Sequence, residues 1–147
     1  MAFDHRGVKL RARIFEELAR LGHDAVDLGV DTAAPLVDYP DKAREIGEAI
    51  VAGRAARGVL VCGSGVGASI AASKLDGIRA AVCHDTYSAH QGVEHDDMNV
   101  LCLGSEIVGE ELAAELVRAF VTATFDGGER YVRRLEKLKE LEKAHVP

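Results

Sequence analysis

An apolar run, Gly58–Cys62, that leads directly into a glycine-rich turn is the feature that most constrains the fold. Gly63, Gly65 and Gly67 occupy alternate positions after the run, and an Ala/Ser-rich segment follows them. Such a run is typical of a buried strand, and the glycines allow a tight turn into a helix. Backbone amides in such a turn point outward together and can bind a phosphate or stabilise an oxyanion. The sequence therefore predicts a strand–turn–helix unit that serves either as an anion site or simply as a tight turn.

Cys62 lies where this strand meets the turn. The positive field of the amides favours its thiolate, which can act as a base or a nucleophile. The alternative is an inert, half-buried thiol. Cys83 and Cys102 also lie in or at the end of apolar runs, and the chain has no CxxC pair. This usage predicts free thiols in a reducing compartment, and we therefore expect a cytoplasmic location.

Length and charge exclude several functions. The 147 residues suffice for one domain, 1–147, with a sizeable core. The net charge of -6 and the aromatic content of 5% argue against nucleic acid as a partner. No apolar run is long enough to span a membrane, and the N-terminus has no signal-peptide pattern. Any anionic ligand must therefore be bound by a local cluster of donors.

Short apolar runs alternate with helical patterns along the whole chain. Strands are predicted at 1–3, 25–28, 59–62, 78–83 and 99–103, and helices at 8–21, 40–53, 67–74, 86–94, 109–124 and 129–145. The alternation predicts a doubly wound, Rossmann-like α/β domain: a five-stranded parallel sheet in the flavodoxin-like order 2-1-3-4-5 with helices on both faces.

The two ends of the chain carry separate expectations. The apolar stripe of the C-terminal extension helix, 129–145, predicts that this helix packs on a partner subunit. The first strand, with three residues before Asp4, is shorter than an interior strand usually is. Either the start of the chain is truncated relative to its natural form, or the strand is unusually short.

Polar residues follow several of the predicted strands. In the predicted order, the ligand crevice opens where the first and third strands diverge. Asp4 and His5 follow the first strand and the Cys62 turn follows the third, while His84-Asp85 and Glu106 follow the fourth and fifth. This convergence favours a functional reading of the turn. Asp4 can equally cap a helix, and for His84-Asp85 the helix cap is the favoured interpretation.

Three further segments have two readings each. Asp38-Tyr39-Pro40 is either a capped helix start or part of the site. The polar run 94–99 is denser than a surface loop needs, but no second His lies at helical ligand spacing, so we expect no metal. Arg130 and Arg134 lie one turn apart and can clamp a phosphate, although the residue pattern alone favours a solvated, charged helix.

Six segments of this chain occur in the order found in type B ribose-5-phosphate isomerases, a group that includes galactose-6-phosphate isomerase subunits. They are Asp4-His5, Asp38-Tyr39-Pro40, 62–67, 77–80, 95–101 and 130–134. The chain resembles this family over nearly its whole length. The Cys-Gly-Ser-Gly-Val-Gly turn together with the Asp-His start is highly specific as a set.

The resemblance implies an aldose–ketose isomerase that works through a cis-enediolate without metal or cofactor. It implies that Cys62 is the base that moves the proton between C2 and C1, that Ser64 assists proton transfer at the sugar oxygens, and that His95 opens the furanose ring. The amides of 63–67 would stabilise the enediolate. The predicted substrate-binding residues are Asp4, His5, Arg6, Tyr39, Gly63, Gly65, Val66, Gly67, Ser69, Asp96, Asn99, Arg130 and Arg134. A homodimer or homotetramer with sites shared between subunits is implied as well.

Three positions depart from the family's pattern. Glu106 stands where an Arg usually helps to bind the phosphate, Asp96 where Asn is common, and Tyr131 where His is common. A carboxylate beside a phosphate dianion is repulsive, and Arg6 is a candidate replacement cation. We expect isomerisation of ribose 5-phosphate and ribulose 5-phosphate. The alternatives are isomerisation of another pentose or hexose, including an unphosphorylated one, and sugar-phosphate binding by a non-catalytic subunit.

Overall fold

The computed structural model describes residues 1–143, in which four parallel strands form one sheet. The strands are β1 (Ala2–Phe3), β2 (Gly58–Cys62), β3 (Ala80–Val82) and β4 (Val100–Gly104). The helices are α1 (Arg11–Arg20), which a 3-10 turn at Gly7–Leu10 precedes, α2 (Tyr39–Val51), α3 (Val66–Ala72), α4 (Thr86–Asp96), α5 (Glu110–Thr122) and α6 (Glu129–Lys143). This arrangement confirms the predicted α/β class with a parallel sheet.

Helices cover both faces of the sheet, as a parallel sheet requires. One core lies between the sheet and α1, α4 and α5, where Phe3, Ile14, Leu103 and Phe120 are fully buried. The second core lies between the opposite face and the pair α2 and α3, around Ile46. The helix that follows β1 therefore lies on one face, and the helix that follows β2 lies on the other. Their divergence opens a crevice at the carboxyl ends of β1 and β2.

The predicted strand order is wrong at one edge. The observed order is β1-β2-β4-β3, so the last strand in the chain lies beside β2 and the strand before it lies at the edge. Every residue of β4 is buried, whereas the three residues of β3 are only partly buried. The more apolar strand therefore occupies the interior of the sheet, where both of its faces are covered.

The predicted five-stranded sheet is also wrong for the described residues, because 25–28 does not form a strand. This segment and the two residues after it run beside Met1 and β1 and are joined to them by three hydrogen bonds: Met1 N to Val26 O over 2.5 Å, Leu28 N to Met1 O over 2.8 Å and Val30 N to Phe3 O over 3.2 Å. Asp27 Oδ1 accepts the amide of Gly29, which turns the chain away.

The two ends of the chain differ in their burial. Ala2 and Phe3 of β1 are fully buried, and the strand consists of these two residues. α6 begins at the predicted residue and has no buried residue, while 144–145 of the predicted helix lie outside the described residues. Within 1–143, no helix combines the length and the apolar character that crossing a membrane needs. α6 thus lies on the surface of the chain, against α4.

Candidate active site

The glycine-rich turn follows β2 and starts α3 as the sequence predicts. Gly65 adopts the left-handed backbone conformation, with φ of +80°, which glycine adopts without strain. A Cβ atom there would lie 3.0 Å from the backbone carbon of Leu103, so the turn is tightly packed on β4. The amide of Gly65 donates a hydrogen bond to Sγ of Cys62 over 3.1 Å. Sulfur and amide thus face each other inside the turn.

The three cysteines differ in their surroundings, although all are free and buried. Burial raises the pKa of Cys83 to about 11, and it raises the pKa of Cys102 as well. Both thiols therefore stay protonated and inert at neutral pH. Cys62 instead lies at the carboxyl end of β2, where the amide of Gly65 donates to its sulfur.

Ser64 is the exposed residue of the same turn. Its Oγ lies 3.3 Å from the amide of Val66 and accepts a hydrogen bond from it. The hydroxyl group therefore lies on the solvent side of the turn. Ser69, one turn further along α3, has its Oγ 3.4 Å from the carbonyl oxygen of Ala80 and faces β3.

Asp4 and His5 lie at the end of β1, beside the Cys62 turn. Asp4 is buried, and its Oδ1 accepts the amides of Arg6 and Gly7 over 2.8 Å each, so it caps the turn that follows β1. His5 is partly exposed, and its Nδ1 lies 3.2 Å from the carbonyl oxygen of Val37. The Asp4-His5 segment thus lies at the same end of the sheet as Cys62, at the carboxyl ends of the strands.

Arg6 lies directly over the turn. A Cβ atom built on Gly63 would lie 2.9 Å from Cδ of Arg6 and 3.1 Å from Nη1, so the glycine leaves room for the guanidinium. Glu106 lies next to it, because its amide donates to the carbonyl oxygen of Gly63 over 2.9 Å. Arg6 is therefore an exposed cation at the mouth of the crevice.

Glu106 is not an isolated carboxylate. Lys9 donates a hydrogen bond to its Oε1 over 2.8 Å. That bond and the positive charge of Lys9, with a smaller effect from Arg6, lower the pKa of Glu106. Sequence reasoning missed Lys9, since it lies 97 positions from Glu106 and nothing local marks it. The unfavourable charge at position 106 is thus offset by two nearby cations.

Tyr39 covers the start of α3. A Cβ atom on Gly67 would lie 2.7–3.0 Å from atoms of the Tyr39 ring, so this close approach requires glycine. The ring is 40% exposed, and Val66 beside it is 53% exposed. Tyr39 thus forms one wall of the crevice above the helix N-terminus.

His95 lies at the opposite end of the sheet, where the strands have their amino ends. α4 runs from the carboxyl end of β3 to the amino end of β4, and His95 is in its last turn. β4 itself advances about 13 Å between Val100 and Gly104. His95 stacks on Tyr131 of α6, with 4.4 Å between ring centroids and 16° between planes. Its Nδ1 lies 2.6 Å from the side-chain nitrogen of Gln91.

The remaining predicted residues lie at the same end of the sheet as His95. Arg130 and Arg134 are exposed on α6, and the Arg130 guanidinium lies 5.9 Å from the centre of the Tyr131 ring. Asp96 is exposed. Asn99 is buried; its Oδ1 accepts the amide of Arg79 and its Nδ2 donates to Gly77 O, each over 2.8 Å. Within one chain, the predicted site residues therefore form two separate groups.

His84 and Asp85 form different hydrogen bonds and have different roles. Asp85 accepts the amide of Ser88 over 2.7 Å and is the N-cap of α4, which confirms the capping interpretation. His84 does something else: its Nε2 accepts the amide of Gly104 over 3.0 Å. Burial lowers the pKa of His84, and Asp85 opposes that shift.

A cavity of about 460 Å³ lies away from the Cys62 turn. It is bounded by α6, α4 and the segment before β3, and its apolar lining includes Leu75, Ile78, Met98 and Leu138. Asp96 is the single predicted site residue among those that line it. The carboxyl ends of β1 and β2 bring together Asp4, His5, Cys62 and Ser64, and we therefore place the candidate active site there.

Comparisons with known proteins identify the family of this chain. A family model described as Ribose/Galactose Isomerase matches residues 1–138. The chain is similar to ribose-5-phosphate isomerase B of Escherichia coli, with 41% identity over 95% of this chain and 92% of that one. It is also similar to D-erythrulose-4-phosphate isomerase of Pectobacterium atrosepticum, with 39% identity over 85% and 82% of the two chains.

Two solved structures share the fold. Ribose-5-phosphate isomerase B of Clostridium thermocellum has a TM-score of 0.93 and 41% identity, with 99% of this chain and 97% of that chain covered. Ribose-5-phosphate isomerase B of Mycoplasma genitalium, with bound ribulose-5-phosphate, has a TM-score of 0.89 and 36% identity, with 97% and 93% covered.

Proposed function

The chain belongs to the ribose/galactose isomerase family and is a ribose-5-phosphate isomerase-like aldose–ketose isomerase, and from that premise we propose that it interconverts ribose 5-phosphate and ribulose 5-phosphate. The observation that carries the proposal is the Cys62 sulfur with the Gly65 amide on it, at the mouth of the β1–β2 crevice. The proposed reaction moves one proton from C2 to C1 and one hydroxyl proton from O2 to O1.

In the proposed mechanism, the Cys62 thiolate removes the proton from C2 of the open-chain aldose. The electron pair forms the C1–C2 double bond of a cis-enediolate, and the carbonyl oxygen at C1 takes the negative charge. The hydroxyl proton on O2 then passes to O1, the thiol returns its proton to C1, and the carbonyl group forms at C2. Amides of 63–67 are the donors for the enediolate oxygen, and Ser64 is exposed beside them to move the hydroxyl proton.

The second group of residues supports a site shared between two subunits. The amino end of the sheet carries His95, Arg130 and Arg134, whereas Cys62 lies at the carboxyl end. One chain therefore cannot bring both groups to one sugar. We propose that a homodimer, alone or as half of a homotetramer, brings His95 of one subunit to the Cys62 turn of the other. His95 would open the furanose ring, and the two arginines would bind the phosphate.

Arg6 is the proposed cation of the crevice itself. Its guanidinium lies over Gly63, next to His5, and Glu106 is engaged by Lys9. This pairing supports a phosphorylated substrate, because the charge at position 106 does not stand alone against a dianion. Asp4, Tyr39, Val66, Ser69, Asp96 and Asn99 remain proposed substrate contacts, of which Asp4, Ser69 and Asn99 already use their side chains in bonds to the backbone.

A second candidate is isomerisation of a different sugar phosphate, such as the four-carbon erythrulose 4-phosphate. Two observations favour it: the 39% identity to the Pectobacterium enzyme and the carboxylate at position 106. An arginine that lies close over the turn, as Arg6 does, would suit a shorter distance between the reacting carbons and the phosphate. The two candidates share Cys62 and differ in substrate length.

The test is proton NMR in deuterated buffer with ribose 5-phosphate, erythrulose 4-phosphate and free ribose side by side. Deuterium incorporation with ketose formation from ribose 5-phosphate supports the first candidate. Reaction with the four-carbon ester alone supports the second, and reaction with free ribose alone means that no phosphate is required. No exchange with any sugar contradicts both candidates and favours a non-catalytic binding subunit.

A further inference from the structure

The amide of Gly104 donates its hydrogen bond to a side chain, just beyond the point where the pairing of β3 with β4 ends. Pairing between β3 and β4 reaches Val82 and Cys102, and the amide of Cys83 then donates to Cys102 O over 3.4 Å. In a parallel ladder the next amide on that edge of β4 is that of Gly104. Nε2 of His84 accepts it over 3.0 Å. The imidazole thus extends the ladder beyond the last strand residue of β3.

The residues after Gly104 hold the Cys62 turn from the other side. Ser105 donates its amide to the carbonyl oxygen of Cys62 over 2.8 Å, and Glu106 donates its amide to that of Gly63 over 2.9 Å. These two bonds fix the peptide that joins Cys62 to Gly63 and the next peptide, which joins Gly63 to Ser64. Any shift of the segment 104–106 therefore moves the sulfur.

Gly104 also touches the turn directly. A Cβ atom at this position would lie 2.6 Å from the carbonyl carbon and oxygen of Ser64, so the two backbones are in close contact. The hydroxyl group of Ser105 donates to the carbonyl oxygen of Arg6 over 2.9 Å. The loop after β4 therefore contacts the backbone of the proposed base, of the proposed proton-transfer residue and of the proposed phosphate cation.

We propose that His84 is a positioning residue for the Cys62 turn: its neutral imidazole fixes Gly104, and Gly104 and its neighbours fix the residues that meet the substrate. The inference rests on the proposed isomerase function and adds to it a residue that touches neither the sugar nor the phosphate. Errors of about 1 Å in the position of reacting groups can lower a rate a hundredfold, so a single bond at this point affects turnover.

The role requires the neutral ring, because an imidazolium has two donors and no acceptor. Burial lowers the pKa of His84, and the charge of Asp85, the N-cap of α4, acts in the other direction. The bond to Gly104 is therefore present at neutral pH and lost in acid, when the ring gains its second proton. Turnover should fall with it.

The experiment compares His84→Ala and His84→Gln in the full-length chain. The glutamine Oε1 can replace Nε2 as an acceptor that does not titrate. We expect His84→Ala to lower kcat about tenfold with KM changed less than about twofold, and His84→Gln to stay within about threefold of wild type. The glutamine variant should also lose the part of the acid decline in kcat that belongs to His84. His23→Gln, an exposed histidine at the other edge of the sheet, is the matched control.

A second measurement reads the hydrogen bond without any substrate. The Gly104 amide resonance should move with pH in the wild-type chain and in His23→Gln, and stay constant in His84→Gln. An unchanged kcat in a folded His84→Ala variant, or a Gly104 amide that ignores pH in the wild type, overturns the proposal. Absence of turnover by the wild-type chain instead overturns the proposed function, and the amide titration tells the two failures apart.

Discussion

The backbone amide of Gly65 donates a hydrogen bond to the sulfur of Cys62, three positions earlier in the chain, over 3.1 Å. The bond forms because Gly65 adopts a φ of +80° and turns the chain back over the end of β2. One glycine therefore determines both the shape of the turn and the environment of the thiol. Each property can be tested separately.

Replacement of Cys62 by Ala tests the proposed base. We expect a loss in kcat of about a thousandfold, because general-base catalysis commonly contributes that much. The fold should be retained with a loss of about 1 kcal/mol, since a single buried sulfur is removed at a strand end. Turnover is measured by conversion of ribose 5-phosphate and stability by urea unfolding.

Cys102→Ala is the matched control, because it removes the same atoms from a fully buried site in β4. It should lose comparable stability and keep its turnover. Normal turnover by Cys62→Ala would show that a different group removes the proton.

Replacement of Gly65 by Ala tests the turn. An alanine in the left-handed conformation costs about 1 kcal/mol, and the contact with Leu103 at 3.0 Å adds overpacking, so we expect a total loss of about 3 kcal/mol. Gly22→Ala is the control, since Gly22 has a φ of +79° and no atom within 4 Å of its built Cβ. It should lose about 1 kcal/mol. Equal losses in urea unfolding would mean that packing against β4 contributes nothing.

The local part of the fold could be predicted from the sequence. The turn after β2 needs glycines at fixed positions within six residues, and α2 begins at Tyr39 next to Pro40, which suits a first turn. Likewise, Asp85 caps α4 through the amide of Ser88, three positions later. Each of these features depends on neighbours in the chain, and so the sequence carries its signal.

The long-range part could not be predicted in the same way. β4 lies beside β2, in the interior of the sheet, where its residues are buried on both faces. Whether β3 or β4 takes this interior place depends on the packing of the whole sheet and not on neighbours in the chain. The segment 25–28 lies beside Met1 and the start of β1 and makes hydrogen bonds there without becoming a strand of the sheet. The separation of His95 from Cys62 follows from the direction of α4, which, like any helix between two parallel strands, ends at the amino end of the next strand.

Replacement of Arg6 by Gln tests the phosphate cation. A hydrogen bond to a charged group is worth about 1.5–3 kcal/mol, so KM for ribose 5-phosphate should rise at least about tenfold. KM for any unphosphorylated sugar that reacts should change little, because that substrate has no phosphate to bind. Arg54→Gln, an exposed arginine after α2, is the control and should leave both values unchanged. Equal effects of Arg6→Gln on both substrates would assign Arg6 to the sugar end of the site.

Glu17 links stability to pH. Its side chain is fully buried, and Arg20 and Arg118 donate to its Oε1 over 2.7 and 2.8 Å. These hydrogen bonds lower the pKa of Glu17 from 4.5 to about 2. The folded state holds the proton less tightly than the unfolded state, so the stabilisation is complete above 4.5 and is lost as the pH falls towards about 2.

Glu17→Gln should therefore unfold more easily at pH 7, by about 1–3 kcal/mol, and show a flatter decline in stability between pH 5 and pH 2. Urea unfolding at several pH values measures both effects. Glu16→Gln, an exposed neighbour 3.5 Å from Arg13, should change stability by about 0.5 kcal/mol or less. A parallel acid decline in wild type and Glu17→Gln would assign the acid sensitivity to other carboxylates.

Mixing two inactive variants tests the shared site. If Cys62 of one subunit acts with His95 of the other, a mixed dimer of Cys62→Ala and His95→Ala chains contains one site with both residues intact. Random exchange of equal amounts should then restore about a quarter of wild-type turnover, because half of the dimers are mixed and each has one working site. Partial unfolding and refolding of the mixture exchanges the subunits, and separately refolded variants are the controls. If both residues act within one chain, every site in the mixture lacks one of them, and turnover stays at the level of the separate variants.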